Sequence, residues 1–117
     1  MSEDRSLPEA VTAFVRGSIS SVEQLAILLL LRANPFRTWT ATEVSRELRG
    51  SEHSAQLRLS DLLDQQLIEE RRDGGEAAYV YAPNSQALRD TLDAVAEAYA
   101  ERPYSVIALI YSDTSRR

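Results

Sequence analysis

Seven consecutive apolar residues, Leu25 to Leu31, set the terms for this chain, because helix punctuation stands on both sides of them. Ser20 and Glu23 have the Ser-x-x-Glu spacing of a capping box, and Asn34-Pro35 stops the segment after Ala33. A helix that is apolar all round must be covered on nearly every side, by the rest of the chain or by a second copy. The run is far short of the roughly 20 residues that cross a bilayer. The first residues, Met-Ser-Glu-Asp, are acidic where a signal peptide is basic. The expectation is a cytoplasmic protein with no membrane partner.

The segments around this core helix carry similar signals. Pro8 suits the first position of a helix over Pro8 to Arg16, with Val11, Phe14 and Val15 at helical spacing and Gly17 as its stop. After an extended piece around Arg37-Thr38-Trp39, Thr40 and Glu43 repeat the capping spacing and open a helix of about two turns, closed by Arg49-Gly50. Ser51 caps the next helix, Glu52 to Gln66, whose Ala55, Leu59, Leu62 and Leu63 form one apolar face. The period then changes. Leu67–Arg72 and Ala77–Ala82 read as strands around Asp73-Gly74-Gly75-Glu76, a β-hairpin whose glycines supply positive φ angles. Trp39 reads as a core anchor for this small sheet, with a binding aromatic as the alternative.

Pro83 closes the hairpin, and Asn84 or Ser85 caps a helix reaching Arg102, striped by Leu88, Leu92, Val95, Ala96 and Tyr99. Beyond Pro103, Val106 to Tyr111 favours a helix, with a strand left open by its β-branched residues. MSEDRS and DTSRR, the two ends, are polar and expected to fray. The fold class expected is mainly α with a small β-hairpin, an α+β chain of 117 residues forming one domain over 1–117.

Composition removes much chemistry. With no cysteine and one histidine, thiolate metal sites, disulfides, cysteine nucleophiles and a histidine-rich metal site are excluded within one chain. No Ser/His/Asp spacing, glycine-rich phosphate loop or paired carboxylates suggest an enzyme, and no cofactor is expected.

The order helix, short strand, short helix, tight turn, helix, hairpin is that of a winged helix-turn-helix. Residues 20–83 resemble the winged-helix domain of bacterial transcription regulators of the MarR, ArsR and related kinds. Thr40-Ala-Thr-Glu-Val-Ser-Arg-Glu-Leu stands as the first helix of the motif. Leu62-Leu63-Asp64-Gln65-Gln66-Leu67-Ile68 matches the recurring leucine, turn and aliphatic pattern, with Gln66 where glycine is common. Left-handed geometry there costs about 1 kcal/mol.

The resemblance implies a homodimer that binds double-stranded DNA at a pseudo-palindrome, with 51–66 as recognition helix and 69–81 as wing. His53, Gln56, Leu57 and Ser60, with Glu52, lie opposite the apolar face. Gln56 suits adenine, and Ser60 any base edge or phosphate. Arg58 is placed to reach phosphate or base from the flank, and Arg71 and Arg72 either meet phosphate or minor groove from the wing or pair with Glu69, Glu70 and Glu76 and solubilise the hairpin. Arg46 and Arg49 complete the basic set. Flanking segments 7–19 and 84–112 are the expected dimerisation elements, through Val11, Phe14, Val15, Leu88, Leu92, Val95, Tyr99, Ile107 and Ile110.

Electrostatics oppose this reading. The net charge is −5, and between Phe36 and Ala82 six arginines face nine acids. Every base in the chain is arginine, which suits bidentate phosphate recognition and equally reflects a GC-rich genome. Glu52 near the start of the recognition helix either accepts from cytosine or repels phosphate. The alternative is a protein-binding winged-helix adaptor that presents its acidic surface to a basic partner.

Overall fold

A computed structural model describes residues 7–72 and 74–115. The described residues form α1 (Glu9–Ser18), α2 (Val22–Ala33), β1 (Trp39–Thr40), α3 (Ala41–Leu48), α4 (Glu52–Asp64), β2 (Ile68–Arg72), β3 (Ala77–Tyr81), α5 (Gln86–Glu101) and α6 (Pro103–Ser115). They divide into two compact units, one spanning 23–84 and the other formed by the segments on either side of it.

In the flanking unit α1, α5 and α6 pack on one another. Val11, Val15, Leu92, Val95, Ala98, Val106 and Ile110 are buried. α1 runs through Gly17 to Ser18, and the Ile19 N–H closes its last turn on Val15 O at 3.1 Å. Gly17 therefore does not stop the helix: glycine costs helix stability but terminates only where it takes up a left-handed cap. Ser85 caps α5 by accepting from Leu88 N, 3.1 Å away. The segment after Pro103 is a helix, and positions 113–115, expected to fray, continue it. The expectation for MSEDRS and for Arg116 and Arg117 lies outside the described residues.

The central unit contains the apolar run. Leu25, Ile27, Leu28 and Leu31 of α2 are fully buried, whereas Ala26, Leu29 and Leu30 are only partly covered. α3 and α4 pack together, α3 against β1 and α4 against β2. Val44, Ala55, Leu59 and Leu62 are buried among the helical residues, and Trp39, Leu67, Ile68 and Val80 among those of the sheet region. The strands form an antiparallel sheet in the order β1-β3-β2, with Trp39 opposite Tyr79 and Tyr79 opposite Glu70. The extended piece before α3 is thus a third strand added to the hairpin. Gly74 and Gly75 turn the hairpin at φ 95° and 117°, angles that side chains seldom tolerate. Asp73 of the expected turn lies outside the described residues.

Candidate functional site

The candidate site is built on the α3–α4 turn. Thr40 Oγ1 accepts from Glu43 N at 3.1 Å while Glu43 Oε1 accepts from Thr40 N at 3.0 Å, so α3 starts with both halves of its capping box in place. It ends on Arg49, left-handed at φ 61°, and the Gly50 N–H reaches back to Ser45 O at 2.9 Å. Ser51 then caps α4 by accepting from Ser54 N. The glycine is not the left-handed residue here; the arginine before it is.

α4 turns Ala55, Leu59 and Leu62 inward and leaves His53, Gln56, Leu57 and Ser60 exposed, with Glu52 beside them. These are positions of helical spacing on the opposite side from the buried stripe. Leu57 is 48% exposed and adds apolar surface to this outer face of α4. Arg46 and Arg49 are exposed near the turn, with no ion pair among the described residues.

Arg58 is placed differently from the flanking phosphate contact expected of it. Its Nε lies 3.3 Å from Glu23 Oε1 and its guanidinium 3.7 Å from Asp61, with only a third of the side chain exposed. Glu23 also accepts from Ser54 Oγ at 2.5 Å. α2 begins at Val22, two residues after the Ser20 expected to cap it, and the Glu23 of that expected capping box ties α2 to α4. No local pattern signals it, because the partners are 31 and 35 residues apart.

On the wing, both arginines are paired along their own strand. Arg71 meets Glu69 at 3.3 Å, and Arg72 meets Glu70 at 2.9 Å and donates to Gly75 O at 3.2 Å. Residues two apart on a strand share a face, so each pair occupies its own side of β2. Tyr79, across from Glu70, has its phenol pushed up by burial and by the Glu70 charge, partly offset by Arg72. Thr38, Thr40, Arg71, Gly74, Glu76 and Ala78 line an open hollow on one side of the sheet. Among the described residues no cluster of histidine, cysteine or carboxylates is arranged to hold a metal ion. Among the described residues no single helix is long and apolar enough to cross a membrane.

The expected dimerisation residues split into two groups. Val11, Val15, Leu92, Val95 and Ile110 are buried within one chain, at 0–1% exposure, and so cannot form an outward contact face. A helix stripe fills its own unit's core before it serves a partner. Phe14, Leu88, Tyr99 and Ile107 keep part of their surface, and Tyr104 and Tyr111 are exposed on α6 at 85% and 61%.

No protein-family model and no curated protein matches the sequence. Solved structures do resemble it. HlyU from Vibrio cholerae matches with a TM-score of 0.60 at 17% identity, covering 86% of this chain and 99% of that one. MepR, a transcription regulator of the Staphylococcus aureus multidrug efflux pump MepA, matches at 0.58 and 13% identity over 91% and 80%. A MepR mutant bound to an oligodeoxyribonucleotide matches at 0.56 and 16% over 74% and 63%. An ArsR-like transcriptional regulator from Rhodococcus sp. RHA1 matches at 0.52 and 24% over 86% and 92%. The element order, the β1-β3-β2 sheet and these likenesses together establish that the chain has the winged helix-turn-helix fold, with helices flanking the winged unit.

Proposed function

We propose that this chain is a DNA-binding transcription regulator of the bacterial cytoplasm, acting as a homodimer and reading a pseudo-palindromic duplex with α4. The observation that carries the reading is the exposed face of α4, His53, Gln56, Leu57 and Ser60, held outward by the buried Ala55, Leu59 and Leu62 behind a tight turn. Gln56 reads adenine through two hydrogen bonds, Leu57 meets a thymine methyl, and Ser60 takes a base edge or phosphate. Arg46 and Arg49 neutralise phosphate beside the turn, and Arg71 and Arg72 do so from the wing after exchanging their carboxylates for it. Phe14, Leu88, Tyr99, Ile107 and the exposed α6 tyrosines supply the contact between copies. Two recognition helices about 34 Å apart then meet successive turns of one groove. The fold shared with regulators, one of them solved on an oligodeoxyribonucleotide, supports this reading.

A second reading is favoured by the pairing of Arg58, Arg71 and Arg72 with carboxylates of their own chain. A surface so compensated suits a protein partner, and the chain is then an adaptor rather than a DNA reader. Capture of fragmented genomic DNA at two salt concentrations decides between them. Sequence-specific enrichment that weakens with salt supports the regulator, since each phosphate contact contributes about 0.9 to the slope of log affinity against log salt. A folded dimer that enriches nothing at either concentration supports the adaptor.

A further inference from the structure

One carboxylate touches α4 on two successive turns. Glu23 Oε1, from the first turn of α2, accepts from Ser54 Oγ at 2.5 Å and from Arg58 Nε at 3.3 Å. Ser54 is held at both ends, since its backbone N–H donates to Ser51 Oγ at 3.0 Å. The second oxygen of Glu23 lies at the turn between α3 and α4: a Cβ added to Gly50 would stand 3.4 Å from Oε2. Arg58 continues the chain of contacts to Asp61.

Residues four apart lie one above the other on a helix, so gripping both suppresses rotation and sliding of α4 together. A charged acceptor makes the grip stronger than a neutral one, although partial exposure of the pair moderates it. Arg58 is compensated by two carboxylates, so turning it to a phosphate leaves both acids without it, a greater loss than for Arg71 or Arg72, each paired with one acid.

We propose that Glu23 is the positioning residue of the recognition helix, and that Arg58 belongs to its clasp rather than to the DNA-contacting set. This rests on the reading of α4 as the helix that meets DNA. Glu23 sets which side chains face the groove, and so governs discrimination between sequences more than total affinity.

The test compares the full chain with Glu23→Gln, Arg58→Gln and Arg71→Gln. Glu23→Gln retains an acceptor oxygen, and Arg58→Gln is an independent route to the same loss should the first variant fold poorly. By NMR without DNA, the Arg58 Nε–H is expected to be protected from exchange in the parent and exposed in Glu23→Gln, with faster amide exchange over 52–58 alone. On duplexes selected from a random library, Glu23→Gln and Arg58→Gln should each reduce discrimination against random duplex about tenfold, the worth of one base contact. Their salt slope should stay unchanged, whereas Arg71→Gln lowers it by about 0.9. An Arg58 Nε–H unprotected in the parent, or unaltered in Glu23→Gln, overturns the clasp whatever the DNA result. A lowered salt slope in Arg58→Gln, or intact discrimination in both clasp variants, overturns the positioning role. A parent with a protected Arg58 that binds no duplex overturns the DNA reading and the role in discrimination with it, while leaving the clasp itself observed.

Discussion

Asn84 donates its side-chain amide to Gln66 Oε1 at 2.5 Å, joining the segment that follows the hairpin to the residue that turns α4 into β2. Gln66 is left-handed at φ 64°, and the Leu67 N–H beyond it returns to Leu62 O at 3.2 Å. A non-glycine residue in this geometry costs about 1 kcal/mol, and the hydrogen bond, exposed at both ends, recovers part of it. Gln66→Gly is therefore expected to be nearly neutral, because relieved strain offsets the lost bond. Asn84→Ala should cost about 0.5–1 kcal/mol in the parent and close to nothing in the Gln66→Gly background. Urea unfolding of the four proteins measures the cycle, and a full Asn84→Ala cost in the glycine background would rule the bond out as its source.

Arg49 separates stability from binding. It occupies the left-handed cap of α3 with an exposed guanidinium, so Arg49→Gly should raise stability by about 0.5–1 kcal/mol. If Arg49 also neutralises a phosphate, the same variant loses about 0.9 from the salt slope of DNA binding. Thermal unfolding and salt titration of one variant then move in opposite directions.

The capping box at Thr40 precedes the first helix of the motif, and its loss should be felt in folding. Thr40→Ala removes the acceptor for Glu43 N and is expected to cost about 1 kcal/mol, while Thr40→Ser keeps most of it. A calorimetric melting temperature equal for the alanine and parent proteins would mean that the cap contributes nothing.

Tyr79 makes stability fall in alkali. Burial first, then the Glu70 carboxylate, raise its phenol above the usual value near 10, with Arg72 opposing. The folded state thus holds the proton more tightly than the unfolded chain. The associated stability is complete below the unfolded value and is lost as pH rises through the folded one. Tyr79→Phe should flatten this decline, and the difference between the ultraviolet titrations of parent and Tyr79→Phe should place the Tyr79 ionisation later in the folded protein than in denaturant. Superimposable alkaline stability curves for the two proteins would exclude the effect.

Local chemistry accounts for what could be read along the chain. Thr40 and Glu43, Ser51 and Ser85 announce helix starts through bonds to amides three residues on, and all three caps form as spaced. Gln66 takes the left-handed angle expected for its place in the leucine-rich turn pattern, and Gly74-Gly75 turns the hairpin. Gly17 misled because a glycine stops a helix only when its φ does, and φ depends on how the next segment leaves.

The residues alone determined the winged helix-turn-helix order, since caps, helical stripes and the glycines of the hairpin turn each act within a few neighbours. Tertiary structure decided which of these side chains lie at the surface and which partners they meet. It gave Glu23 to Ser54 and Arg58, 31 and 35 residues away, and placed Val11, Val15, Leu92, Val95 and Ile110 in the chain's own core. An apolar stripe or an arginine states what it needs, a cover or a counter-charge, but several groups along a chain can meet that need. Only the folded distances select among them.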